Sequence, residues 1–140
     1  MTDISVFVDS RGGNTLKLAE AIAEELGVPI GDLTAPLPDD VQTLFLGSGT
    51  YGGKAGEAMA KFIASGTFTG RKVALFATSG GAAGAEKMIA SMADALTKKG
   101  ATILGSYHCR GKFLFTNRGR PNQEDRDAAR KFARDMLKGP

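Results

Sequence analysis

The chain has 140 residues, 42% of them hydrophobic, which is enough for one domain (residues 1–140) with a packed core and too apolar for disorder. No apolar run approaches the ~20 residues of a membrane span, and the N-terminus lacks the charged and apolar regions of a secretory signal. Net charge is +3 but uneven: residues 110–140 carry nine Lys/Arg against four Asp/Glu, and residues 1–109 carry nine against eleven.

Apolar runs alternate with helical patterns along the chain. Ile4-Ser5-Val6-Phe7-Val8 predicts a first strand. Leu18, Ile22 and Leu26, spaced i, i+4, i+8, predict a first helix that Gly27 ends. Residues 28–30 predict a second strand, placed at an edge because Pro29 interrupts it. A polar link over 32–42 holds Pro36 and Pro38 where a crossover helix is normal. Thr43-Leu44-Phe45-Leu46-Gly47 predicts the third strand, and residues 56–65 a second helix burying Met59, Phe62 and Ile63. Val73-Ala74-Leu75-Phe76-Ala77, continuously apolar, predicts a fourth strand covered on both faces. A third helix over 85–99 presents Met88, Ile89, Met92 and Leu96, and residues 102–107 predict a short fifth strand. The last helix starts after Asn122, an N-cap with Asp125 three residues on. The pattern implies an α/β fold with a parallel sheet covered by helices.

Ligands of such sheets sit outside the carboxyl ends of the strands. Three loops at those ends are rich in glycine and hydroxyls. The first is Ser10-Arg11-Gly12-Gly13-Asn14-Thr15, which leads straight into the first helix. Its small residues expose backbone N–H groups, and the helix N-terminus adds partial positive charge. Ser10, Asn14 and Thr15 add neutral side-chain donors, and no lysine is present, so it is not the loop of nucleoside triphosphatases. A neutral cradle suits a phosphate monoester that is held and not transferred. The second loop is Ser48-Gly49-Thr50-Tyr51-Gly52-Gly53, and the third is Thr78-Ser79-Gly80-Gly81. Residues 47–52 also match G-x-G-x-x-G, but the acidic residue that a dinucleotide site needs about 20 residues later is replaced by Ala77-Thr78-Ser79.

The first loop resembles the flavodoxin phosphate sequence [ST]-x-T-G-[NK]-T, with Gly12 in place of the usual threonine. Tyr51-Gly52 resembles the aromatic–glycine pair of the flavodoxin loop after the third strand, and residues 119–125 resemble the segment before the last helix in small flavodoxin-like proteins. The resemblance covers the whole chain. It implies a flavodoxin-like three-layer sandwich with a five-stranded parallel sheet in the order 2-1-3-4-5. It implies FMN as cofactor, held by the three loops, with Tyr51 stacked on the isoalloxazine ring and the Gly52 carbonyl free to turn toward flavin N5. The implied task is electron transport, carrying single electrons between protein redox partners. The third loop departs from the family, since residues 78–84 hold neither an aromatic nor an acid.

Two other functions stay open: an FMN-dependent NAD(P)H or quinone oxidoreductase, which needs a second pocket, and a flavodoxin-fold interaction module without flavin. The basic C-terminal stretch reads either as a docking face for an acidic partner protein or as a solvated helix face. Aromatic residues do not interleave the tail's charges in the manner of a single-strand binding platform, which argues against nucleic acid. One cysteine, Cys109, and one histidine, His108, fit a reducing cytoplasm and argue against a disulfide or a structural metal site. Phe115 stands six residues after Cys109, where a cysteine phosphatase has arginine, and a receiver domain's aspartate is missing at the end of the third strand.

Overall fold

The apolar runs at 44–46 and 73–77 are buried on both faces and form the centre of a parallel sheet. The computed structural model describes residues 3–111 and 119–138. Its elements, in chain order, are β1 (Ile4–Asp9), α1 (Asn14–Leu26), β2 (Thr43–Gly49), α2 (Glu57–Ser65), β3 (Lys72–Ser79), α3 (Ala82–Lys98), β4 (Thr102–Arg110) and α4 (Gln123–Lys138). All strand pairs are parallel, with Phe7 opposite Leu46, Leu46 opposite Leu75, and Leu75 opposite Ser106.

The side-chain period of two sorts the strands between two cores. Leu44, Leu46, Val73 and Leu75 pack with Met59, Phe62, Met88, Met92 and Leu96 of α2 and α3. Val6, Phe45, Ala74 and Phe76 pack with Leu18 and Ile22 of α1 and with Ala129 and Phe132 of α4. The expected three-layer arrangement is therefore present. Gly47 is required on the second face: a Cβ there would lie 2.0 Å from Phe76 Cε2.

The sheet has four strands, in the order β1-β2-β3-β4, and not five in the order 2-1-3-4-5. The expected strand at 28–30 is reduced to one bridge, Ile30 to Val6, closed by the Gly31 N–H on the Val6 carbonyl at 2.7 Å. Pro29 has no N–H for a ladder, and three residues are too few to compensate. The last strand is longer than expected and reaches Arg110.

Helix α4 holds five Lys/Arg against four Asp/Glu, so most of the basic excess of residues 110–140 lies before it, and several of its own charges are answered within the fold. Arg130 pairs with Glu24 at 2.7 Å and Arg134 with Glu25 at 3.0 Å, both on α1, and Lys131 pairs with Asp135. Lys112 and Arg118, counted in the same basic stretch, lie outside the described residues. Among the described residues no helix is long and apolar enough to cross a membrane.

Candidate functional site

The parallel order brings the carboxyl ends of β1, β2 and β3 side by side, so the loops that follow them meet. They enclose a cleft of about 210 Å³ lined by Ser10, Gly12, Asn14, Thr15, Gly49, Thr50, Tyr51, Thr78, Ser79, Gly80 and Gly111. Ten of these are residues expected from the sequence. The other six expected residues, Arg11, Gly13, Ser48, Gly52, Gly53 and Gly81, lie outside its lining.

The first loop is held by Ser10, whose Oγ accepts the N–H of Gly13 at 3.1 Å and of Leu16 at 3.2 Å. Gly13 is the N-cap of α1 with φ +87°, a conformation open to glycine and strained for other residues. Gly13 has no side chain to cap the helix, and the Ser10 hydroxyl takes the Leu16 N–H of the first turn in its place. Thr15 is buried, and its hydroxyl meets that of Thr78 at 2.8 Å. Thr78 also binds the second loop: its carbonyl accepts the Thr50 N–H at 3.1 Å and the Thr50 hydroxyl at 3.0 Å. Ser79 continues the network, its carbonyl accepting the Gly111 N–H at 2.9 Å and its hydroxyl donating to the Gly81 carbonyl. Three loops from three strands thus form one hydrogen-bonded unit.

Tyr51 heads a two-residue turn. Its N–H and carbonyl pair with Lys54, and Gly52 (φ +62°) and Gly53 (φ +78°) both take the left-handed conformation of a type I′ turn. The Tyr51 ring reaches back across Gly49, where a Cβ would stand 2.5 Å from the hydroxyl. Its Oη accepts the Arg11 N–H at 3.1 Å, and the Arg11 guanidinium carbon sits 4.0 Å from the ring centre. Ser48 is fully buried and structural: its Oγ donates to the Gly49 carbonyl and accepts the Gly56 N–H at 2.9 Å. Gly81 is the N-cap of α3.

Sequence reading passed over two contributors. Gly111 lines the cleft and packs on Asn14, with a Cβ there only 2.9 Å from Asn14 Nδ2. The strand-end rule applied to β4 would have found it, had the strand been carried past Tyr107. Asp9 ends β1 and fixes α2: its Oδ2 accepts the Met59 N–H at 3.0 Å, close against Gly56.

The charge around the cleft is mostly positive. Arg11, Lys54, Lys87 and Arg110 are exposed there, and the Lys87 side chain lies against Gly53. No group of three or more His, Cys, Asp or Glu that would hold a metal occurs among the described residues.

A second cleft of about 300 Å³ adjoins the first at Ser79, lined also by Tyr107, Arg110, Arg120 and Asp125. Asp125 binds Arg120 through both oxygens, at 2.6 and 2.8 Å. Cys109 is buried beside it, and desolvation pushes its thiol up to about 12, with the Asp125 charge adding to the rise. A thiol held protonated is a poor nucleophile, so Cys109 is a core residue.

The donor set fits the phosphate end of a flavin mononucleotide. It is neutral, lies at a helix N-terminus, and lines a space sized for a phosphate and polyol tail, with an aromatic ring at the mouth. The flavodoxin-domain family profile matches residues 5–116. An uncharacterised protein of Methanocaldococcus jannaschii is 32% identical over 136 residues, covering 89% of this chain and 91% of its own length. Oxidised flavodoxin 1 of Bacillus cereus superposes with a TM-score of 0.76 at 18% identity, covering 96% of each chain. A Fusobacterium nucleatum flavodoxin bound to flavin mononucleotide does so with a TM-score of 0.72, again at 18% identity and 96% of each chain. The fold is that of the flavodoxins, and by sequence and structure together the chain belongs to the flavodoxin-domain family.

Proposed function

We propose that residues 1–140 act as one FMN-binding unit that carries electrons between redox partner proteins. One observation carries this reading: the loops after β1, β2 and β3 are joined by hydrogen bonds around a neutral donor cleft at the N-terminus of α1. In this reading Ser10, Gly12, Asn14 and Thr15 hold the phosphate, with Ser10 fixing the loop and the Thr15–Thr78 pair fixing the helix start. Thr50, Ser79 and Gly80 face the polyol tail, and Tyr51 takes one face of the ring. The bound flavin supplies the redox chemistry, and the protein orients it and sets the field around it. The Gly52-Gly53 turn gives the backbone beside the ring the freedom to reorient its peptide groups.

The exposed cations at the cleft mouth fit an acidic docking face on a protein partner, at the place where the ring edge would be reached. They carry this role better than α4, whose charges pair within the fold. A reducing cytoplasm, read from the single buried cysteine, belongs to the same proposal. The visible absorption spectrum of the purified protein, before and after added FMN, tests the reading. A flavin spectrum perturbed from that of free FMN supports it, and an unperturbed one refutes it.

The second cleft favours one further reading. A nicotinamide or quinone oxidoreductase needs a pocket beside the flavin, and the 300 Å³ space shares Ser79 with the first. Steady NAD(P)H consumption by the pure, FMN-loaded protein distinguishes this from a carrier.

A further inference from the structure

The side chain and the main chain of Arg11 both engage Tyr51. The amide donates to the phenol oxygen at 3.1 Å, and the guanidinium lies over the ring at 4.0 Å. The phenol is brought there by Gly49, where any side chain would strike it. Tyr51 therefore bridges the second loop to the first across the cleft mouth. The two groups joined in this way are the ones a flavin mononucleotide needs, on the reading above: a loop N–H for the phosphate and an aromatic face for the ring.

We propose that Arg11 is a specificity residue that makes the ring site conditional on the phosphate. This role rests on the flavin reading and goes beyond it. A guanidinium over a half-buried aromatic ring holds its place by a modest cation–π attraction. A phosphate in the adjacent loop offers that guanidinium a stronger, charge-assisted partner. It also offers the Arg11 amide an anionic acceptor in place of the phenol oxygen. A phosphorylated flavin thus draws Arg11 off Tyr51 and frees the face on which its own ring stacks. Riboflavin has the ring without the phosphate, so it must displace the guanidinium with no compensation. Arg11 acts against riboflavin and in favour of FMN, through one side chain.

The signs separate this from a simple electrostatic role. If Arg11 only attracts the phosphate, its loss weakens FMN and leaves riboflavin alone. If it guards the ring, Arg11→Ala weakens FMN and tightens riboflavin. The residue is exposed, so the variant tests binding and not folding. Tyr51→Phe gives an independent arm, because it removes the acceptor of the Arg11 N–H and keeps the ring.

Isothermal titration with FMN, riboflavin and inorganic phosphate on wild type, Arg11→Ala and Tyr51→Phe decides the matter. The expected result for Arg11→Ala is riboflavin tighter by about threefold, the strength of an exposed cation–π contact, and FMN weaker. For Tyr51→Phe, inorganic phosphate tightens by about fivefold, the worth of one competing hydrogen bond. Amide exchange at Arg11 also accelerates in Tyr51→Phe, with no ligand added. FMN binding with riboflavin affinity unchanged or lowered in Arg11→Ala overturns the specificity role alone. Absence of flavin binding in every variant overturns the functional reading and the specificity role together.

Discussion

Removing the Asp125 carboxylate breaks the joint between the last loop and α4. Asp125 is buried; its oxygens bind the Arg120 Nε and Nη2 at 2.6 and 2.8 Å, and Oδ2 also accepts the Asn122 N–H at 2.8 Å. Asn122 answers by accepting the Asp125 N–H at 2.9 Å, so the two residues form a reciprocal cap on α4. The Tyr107 hydroxyl donates to the Asp125 carbonyl and ties the cap to β4. Asp125→Ala loses the acceptor of one cap bond, worth about 1 kcal/mol. It also loses a charge-assisted pair with a half-buried guanidinium, worth about 2 kcal/mol. The expected loss is about 3 kcal/mol, or roughly 10 °C in Tm for a chain of this size. Urea and thermal unfolding followed by circular dichroism measure it. The same contacts fix the pH dependence. Burial works to raise the Asp125 pKa, but the Arg120 and Asn122 hydrogen bonds outweigh it and hold it below the ordinary carboxylate value. The stability from ionised Asp125 is therefore complete above the unfolded-state pKa near 4 and is lost as pH falls through the lower folded-state value. Asp125→Asn keeps an acceptor for the cap and is expected to flatten that acid limb. A loss below about 1 kcal/mol in Asp125→Ala, or an acid limb unchanged in Asp125→Asn, would refute the reasoning.

Three further outcomes follow from the site. Tyr51→Ala is expected to weaken FMN by about fivefold, one stacking contact, and to shift the bound flavin spectrum; unchanged affinity and spectrum would remove Tyr51 from the ring site. The reduction potential of bound FMN is expected to lie above that of flavodoxins with acidic flavin sites, because Lys54 and Lys87 stand beside the Tyr51 turn and residues 78–84 carry no carboxylate to oppose added electrons. Potentiometric titration reads this directly, and a potential as low as in those flavodoxins contradicts it. Cys109, buried and with its thiol raised to about 12, is expected to resist alkylation at pH 8 in the folded protein and to react readily in urea. Fast labelling of the folded protein would show the thiol to be exposed.

The strand and helix order could be read from the sequence because the central strands are continuous apolar runs and the helices keep a 3.6-residue stripe. The Asn122–Asp125 cap was equally plain, since both partners lie within one turn. The strand at 28–30 was misjudged: Val28 and Ile30 have the right residue types, but a ladder needs the N–H that Pro29 lacks, and this is decided by pairing and not by propensity. The three loops were legible because glycine and hydroxyl clusters at strand ends mark backbone that approaches a ligand. What joins them was not. The Thr15–Thr78 contact spans 63 positions, the Arg11–Tyr51 contact 40, and no local pattern encodes either. The basic tail showed the opposite error, since Arg130 and Arg134 look free in sequence and find Glu24 and Glu25 only when α4 packs on α1.

The most direct test of the account is the comparison of FMN with riboflavin in the paired variant Asn14→Ala and Thr15→Ala, its fold checked by circular dichroism. The two ligands differ only in the phosphate that residues 10–15 are taken to hold. The account predicts that FMN affinity falls at least about tenfold more than riboflavin affinity, the worth of one hydrogen bond to a charged group. Equal losses for both ligands would contradict it and place the phosphate elsewhere.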